Sequence, residues 1–273
     1  MQNKVWFITG TSTGFGSLLS KKLLERGDCV VATARRHSAF KQFERYDPSL
    51  LLTCELDVTR PEQIKSAVED AIDQFGRIDV LVNNAGYGYF STFEEADLNE
   101  VRMMFDVNVY GLIEMTQAVL PVMREQKSGA IVNISSISGR ITTARGAFYQ
   151  ASKWAVEALS ESLFIETHPF GIRVLVIEPG SYETDFGPRS TRNTISPAYS
   201  PYVTFSPSWA KGRSLMFPER RDPTEVIDVI IRAVDGNAQF DRIPIGPDAL
   251  DAINRRDTEG WKVSLEDILQ KYS

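Results

Sequence analysis

The chain has 273 residues, 42% hydrophobic and 24% charged, with a formal net charge of −6 and a pI near 5.2. This is the profile of an ordinary soluble globular protein, long enough to bury one large core as a single α/β domain. The acidic balance excludes a general nucleic-acid surface, which needs excess Lys and Arg, so any bound anion must be held by a local arrangement.

The opening MQNKVWFITG enters an apolar stretch with no basic leader before it, so no signal peptide is expected. Val5 to Thr9 reads as a strand. Phe15 to Arg26 reads as a helix with Leu18, Leu19, Leu23 and Leu24 on one side and Gly27 as its stop. Cys29 to Ala34 and Leu50 to Glu55 are the next strands. The helix Glu62 to Phe75 carries Ile64, Val68, Ala71 and Ile72 at helical spacing, and Ile78 to Val82 is again a strand. Leu98 to Gln126 reads as one long helix with irregularity late in it, at Gly111 and Pro121. The strand Ala130 to Ile134, the helix Phe148 to Thr167 and the strand Ile172 to Ile177 continue the pattern. The alternation predicts an α/β fold: a Rossmann-type, doubly wound parallel sheet in three α/β/α layers, with right-handed crossovers, in a single domain over 1–273.

After Gly180 the composition changes. Residues 181–223 are rich in Ser, Thr, Pro and Arg, with Tyr199, Tyr202, Phe205, Trp209 and Phe217 interspersed. So many aromatics argue against a solvated linker, and 185–223 is expected to be a lid insertion over a substrate. A helix from Thr224 to Val234 and a short strand near Ile243 to Ile245 follow. Residues 247–273 are expected to form a helical extension, two short helices between Asp248 and Tyr272. No apolar run approaches the ~18 residues of a membrane span. Cys29 and Cys54 sit in or beside predicted strands and read as buried thiols, which fits a cytoplasmic location. His37 and His168 lie far apart with no cluster at ligand spacing, so no metal site is expected.

Five stretches carry chemistry. The first strand ends in TGTSTGFG, Thr9 to Gly16, with Gly10, Gly14 and Gly16 opening a helix and Thr11, Ser12, Thr13 and Phe15 between them. Glycine permits the sharp turn and lets a dinucleotide approach the backbone, while the helix N-terminus offers free N–H groups to a pyrophosphate. A purely structural turn is the alternative. The second strand runs into Arg35 and Arg36, where a dinucleotide fold places the adenosine ribose. An acid there would hold a 2′-hydroxyl; two cations suit a 2′-phosphate, or are simply a solvated pair. The fourth and fifth strands run into NNAG (Asn83 to Gly86, with Asn84 and Ala85 inside it) and NISSISG (Asn133 to Gly139), on the sheet edge that carries the ligand crevice. Last comes YQASK, with Tyr149 and Lys153 four apart on one helix face. A free phenol with a pKa near ~10 is a poor acid/base at neutral pH, and a nearby ammonium lowers that value.

Together these residues resemble the short-chain dehydrogenase/reductase family. The resemblance rests on TGTSTGFG, NNAG, Asn108 in DVNVYG, Ser136 in ISSISG, YQASK, and PGSYET from Pro179 to Thr184, in the family's order and spacing. It implies that Ser136, thirteen positions before the tyrosine, orients the substrate oxygen and that Tyr149 exchanges the proton. It implies that Lys153 holds the nicotinamide ribose and lowers the tyrosine pKa, and that Asn108 anchors a water extending the relay. Asp57, with Val58 beside it, resembles the adenine-contacting acid, and Thr184 the threonine near the nicotinamide amide, with Pro179, Gly180 and Tyr182 around it. Two departures stand out. Thr13 occupies a place where many NADP(H) members carry a basic residue, so discrimination rests mainly on Arg35. Tyr182 replaces a small aliphatic residue.

The resemblance implies an oxidoreductase using NADP(H) in preference to NAD(H), acting on an alcohol or carbonyl small molecule as a homo-oligomer, dimer or tetramer. The lid aromatics, with Arg189, Arg192 and Arg213, point to a moderately sized, largely apolar carbonyl compound. A nucleotide-binding sensor without turnover is the rival from another class, yet such a protein would be expected to lose the serine, tyrosine or lysine. A sugar-nucleotide epimerase or dehydratase shares the Tyr–Lys pair, but the glycine spacing and chain length speak against it.

Overall fold

A computed structural model describes residues 3–184, 190–194, 200–202, 220–237 and 239–258. Along the chain the elements are β1 (Val5–Ile8), α1 (Gly14–Arg26), β2 (Cys29–Ala34), β3 (Leu51–Glu55), α2 (Pro61–Phe75), β4 (Val80–Asn83), β5 (Gly88–Phe90), α3 (Leu98–Phe105), α4 (Gly111–Gln126), β6 (Gly129–Ile134), α5 (Ala147–Thr167), β7 (Ile172–Pro179), β8 (Thr191–Asn193), α6 (Thr224–Asp235), β9 (Phe240–Ile245) and a last helix, α7, over residues 247–258.

Seven strands make one parallel sheet in the order β3-β2-β1-β4-β6-β7-β9. The order runs outward in both directions from the β1–β4 pair, which is the expected doubly wound arrangement. Side chains alternate between two cores, as the two-residue strand period requires. Trp6 and Ile8 join Leu19 and Leu23 of α1 and Ile227 and Ile230 of α6 on one face. Val5 and Phe7 join Ile64 and Val68 of α2 and Met115 and Val119 of α4 on the other. Both faces being covered, the strands read as continuous apolar runs rather than half-polar ones.

The long helix expected over 98–126, with irregularity at Gly111 and Pro121, is interrupted immediately before Gly111 and not at Pro121. α3 passes through a π turn, Asp106–Tyr110, into α4, and Pro121 sits inside α4 without ending it. The turn is set by tertiary contacts: Asn108 bonds the backbone of Tyr87, and a Cβ on Gly111 would stand 2.6 Å from Val58 Cγ2. A π turn keeps the helical apolar pattern, so periodicity did not mark it. β7 and β9 are longer than predicted, reaching Pro179 and beginning at Phe240. The small parallel pair β5–β8 and the 3₁₀ turns His37–Phe43 and Ile137–Gly139 were not anticipated. Most of the expected lid and the second tail helix lie outside the described residues.

Candidate active site

A cleft of about 520 Å³ opens along the carboxyl ends of the strands, where the strand order diverges. That volume is in the range of small-molecule sites, and the crevice at such a switch point is where open α/β sheets bind ligands.

The glycine loop and the NNAG turn are locked together at the centre of the cleft. Thr9 Oγ1 accepts from the amides of Asn84 and Ala85, each at 2.9 Å, and Asn84 Nδ2 donates to the carbonyls of Thr9 and Gly10 at 2.8 and 2.9 Å. Gly10 and Gly14 have φ of +72° and +59°, a region that disfavours a side chain. A Cβ on Gly16 would lie 2.5 Å from Gly10 O and 2.6 Å from Asn84 Nδ2. Behind the loop, Gln42 Nε2 donates to the carbonyls of Thr11 and Ser12 at 3.2 and 3.1 Å. The α1 N-terminus has no side-chain cap from Thr13 and no acid in its first turn. Its amides therefore remain open to an anion, which suits a dinucleotide's phosphates.

At the adenosine end, Arg35 lines the cleft, is exposed, and makes no hydrogen bond or ion pair among the described residues. Asp57 and Val58 line it too, and Asp57 Oδ1 accepts from the amide and hydroxyl of Thr59 at 3.1 and 2.8 Å.

At the other end, α5 carries Tyr149 and Lys153, both buried (5% and 7% exposed). Lys153 Nζ donates to Ile134 O at 2.8 Å and lies 5.9 Å from the Tyr149 ring centroid. Burial pulls the lysine down to about 8, opposed by the charge of Glu157. Ser136 caps the turn Ile137–Gly139, its Oγ accepting from Ser138 N at 3.1 Å. A Cβ on Gly86 would be 3.1 Å from Asn108 Oδ1 and 3.9 Å from Lys153 Nζ, so these two side chains meet beneath Gly86. Asn108 Nδ2 donates to Tyr87 O at 2.9 Å and Ser152 Oγ at 3.1 Å. Tyr182 presents its ring to the cleft, edge-on to Phe15 at 6.0 Å, and donates its hydroxyl to Glu225 Oε2 at 2.9 Å. Burial first, then that carboxylate, raise its phenol well above the usual value.

Of the catalytic and cofactor-binding residues expected from sequence, Thr11, Gly16, Arg36 and Asn108 do not line the cleft and the others do; of the expected lid residues, Arg192 lines it, Tyr202 does not, and Arg189, Tyr199, Phe205, Trp209, Arg213 and Phe217 lie outside the described residues. Thr11 is fully buried and donates to Thr33 O. Gly16 is buried behind the loop and Asn108 beneath the floor. Tyr87, Phe90, Ile141, Thr143 and Gln150 line the cleft without having been anticipated. The strand-prone YGYF run after NNAG was the available signal for the first two. Arg192, carried by β8, lies over the Tyr87 ring at 5.2 Å and pairs with Glu100 at 2.5 Å. Among the described residues no three His, Cys, Asp or Glu side chains are placed to hold a metal ion, and no helix is long and apolar enough to cross a membrane.

A family model described as short chain dehydrogenase matches residues 4–194. The 3-ketodihydrosphingosine reductase of Bacteroides thetaiotaomicron is 36% identical over 250 residues, 90% of this chain and 89% of that protein. A short-chain dehydrogenase from Streptomyces avermitilis superposes with a TM-score of 0.87 at 34% identity, covering 100% of both chains. A short chain dehydrogenase from Burkholderia cenocepacia, solved in complex with NADP, superposes with a TM-score of 0.77 at 26% identity over 98% of both chains.

Proposed function

This chain is an oxidoreductase of the short-chain dehydrogenase/reductase family, and from that premise we propose that it interconverts an alcohol with a ketone or aldehyde, using NADP(H) and Tyr149 as acid/base. The observation that carries the reading is the convergence of Ser136, Tyr149 and Lys153 on one end of a cleft whose centre is a glycine loop with uncapped helix amides.

When bound, the nicotinamide cofactor supplies or accepts the hydride. The glycine loop and first turn of α1 would hold its diphosphate, Arg35 its 2′-phosphate and Asp57 its adenine. Lys153 would hold the nicotinamide ribose, and Thr184, with Pro179 and Gly180, would bind the carboxamide. As negative charge grows on the substrate oxygen, Tyr149 transfers its proton and Ser136 donates a hydrogen bond. Ser136 Oγ already accepts from Ser138 N, which leaves its own proton for the substrate. The Lys153 charge favours the phenolate in the reverse direction. Asn108 takes the far end of the proton relay.

The wall of Phe90, Ile137 and Ile141 suits a largely apolar carbonyl compound, and the Bacteroides relative is by name a keto reductase. The reading carries with it a cytoplasmic homo-oligomer. It is tested by NADPH oxidation against a panel of ketones and aldehydes. With the best substrate, Tyr149→Phe is expected to lose roughly 10²–10⁴-fold in kcat while still binding NADPH. Near-full activity in a folded variant would sink the assignment.

A further inference from the structure

Behind the serine turn lies a group of ionisable side chains that the reaction as described does not use. Glu178, on β7, is 0% exposed, and Glu157, on α5, is 5% exposed. Glu157 follows Tyr149 and Lys153 at four-residue steps, on the same face of the helix. Each carboxylate has one oxygen tied to an arginine: Arg140 Nη1 lies 3.3 Å from Glu178 Oε1, and Arg242 Nε 3.0 Å from Glu157 Oε2. The other oxygens, Glu178 Oε2 and Glu157 Oε1, have no donor among the described residues, and the buried Ser135 Oγ has no partner either. Ser135 and Glu157 converge at Gly139, where a Cβ would stand 2.7 Å from Ser135 Oγ and 2.9 Å from Glu157 Oε1, and Glu178 reaches the next residue of the turn, Arg140. The turn that presents Ser136 is thus backed by Glu157 at Gly139 and tethered to Glu178 through Arg140.

Two buried carboxylates side by side are costly unless a proton lies between them. Glu178 is held well above the usual carboxyl range, at about 7, by burial first and then by the charge and hydrogen bond of Glu157, against the pull of Arg140. The other charges around the pair are Lys153 and Glu161 from α5, Arg242 from β9, and Arg256 and Asp257 from α7.

We propose that Glu178 carries a proton that it donates to Glu157, and that this acid pair positions Ser136 against Tyr149 by clamping the turn 136–140 between β7 and the catalytic helix. Loss of the proton turns the hydrogen bond into a repulsion directly under Gly139, and the serine moves off line. Glu157 and Glu178 are positioning residues and touch no reacting atom. The kinetic part rests on the hydride-transfer reading, so the test includes measurements that need no turnover.

Infrared difference spectra of the whole protein, taken between about pH 6 and about pH 8.5 to straddle the titration, are expected to show a protonated-carboxyl band lost on the alkaline side. The band should be missing in Glu178→Gln, whose amide supplies the same hydrogen bond without titrating. The folded acid keeps its proton from 4.5 up to about 7, where the unfolded one has lost it. Native stability therefore falls across that window and stays lower above it, and the variant's melting temperature should gain on the native one as pH rises. In turnover, native kcat should drop on the order of tenfold through the same step, since small misplacements of catalytic groups cost that much. Glu178→Gln should be flat there, with KM for NADPH unchanged. Glu157→Gln provides the same comparison if the first variant does not fold. A carboxyl band that persists in both variants, or superimposable pH profiles in native and variant proteins, would overturn the proposal. Absence of any turnover would strike the hydride-transfer reading alone and leave the infrared result to decide the pair.

Discussion

At the scale of the residue, the proposed preference for NADP(H) over NAD(H) rests on Arg35. It lines the cleft beyond β2 with no protein partner among the described residues, so its hydrogen bonds are available to a phosphate. A charge-assisted bond from guanidinium to phosphate gives discrimination on the order of tenfold or somewhat more. Thr13 adds no charge, which sets the lower end of that expectation. Native kcat/KM should favour NADPH, and Arg35→Asp should reverse the order by removing the cation and repelling the 2′-phosphate. Equal values in the native enzyme, or an unmoved ratio in the variant, would make the arginine an ordinary surface charge. That Arg35, Ser136, Tyr149 and Lys153 share one cleft was legible in the sequence because each stands at a fixed distance from a recognisable strand end or helix start. Gln42, Tyr87 and Glu178 were not. Gln42 reaches the glycine loop from a 3₁₀ turn with no pattern of its own, and Glu178 looks, in sequence, like the polar end of an apolar strand.

At the scale of the element, the glycine loop is a fitted joint between β1, α1 and the NNAG turn. Gly16 does not face the cleft, yet a Cβ there meets backbone at Gly10 O and a hydrogen-bonded amide at Asn84. Overpacking of this kind costs roughly 1–3 kcal/mol. Gly16→Ala is expected to lower the melting temperature by a few degrees and to weaken NADPH binding tenfold or more, read by fluorescence titration. Unchanged affinity would show that the loop relaxes freely. The long alternating elements were readable because strand and helix periods differ. The π turn at Asp106–Tyr110 was not, since it leaves the helical pattern intact while shifting its phase. The three-residue strands β5 and β8 are too short to show any period and exist only because each provides the other's hydrogen bonds.

At the scale of the whole molecule, β8 ties the segment after β7 to the far side of the cleft. Arg192 pairs with Glu100, Tyr89 OH with Thr194 Oγ1, and Arg145 Nη2 donates to Thr194 O. We take this as the root of the proposed lid, and amide exchange at 191–194 is expected to slow when NADP⁺ and a substrate analogue bind. Protection that does not change would remove the lid from the mechanism. The other long-range closure joins α1 to α6. Leu19 and Leu23 of α1 share a core with Ile227 and Ile230 of α6, and Lys22–Asp228 and Arg26–Asp235 bridge the same helices. A ribosome makes the first helix well before the second, since Asp228 follows Lys22 by 206 positions in sequence. At ~5–20 residues per second, that is roughly 10–40 s during which the leucine stripe of α1 lacks the part of its cover that α6 supplies. A product ending before Thr224 would thus leave bare the strip of α1 that Ile227 and Ile230 cover in the finished fold.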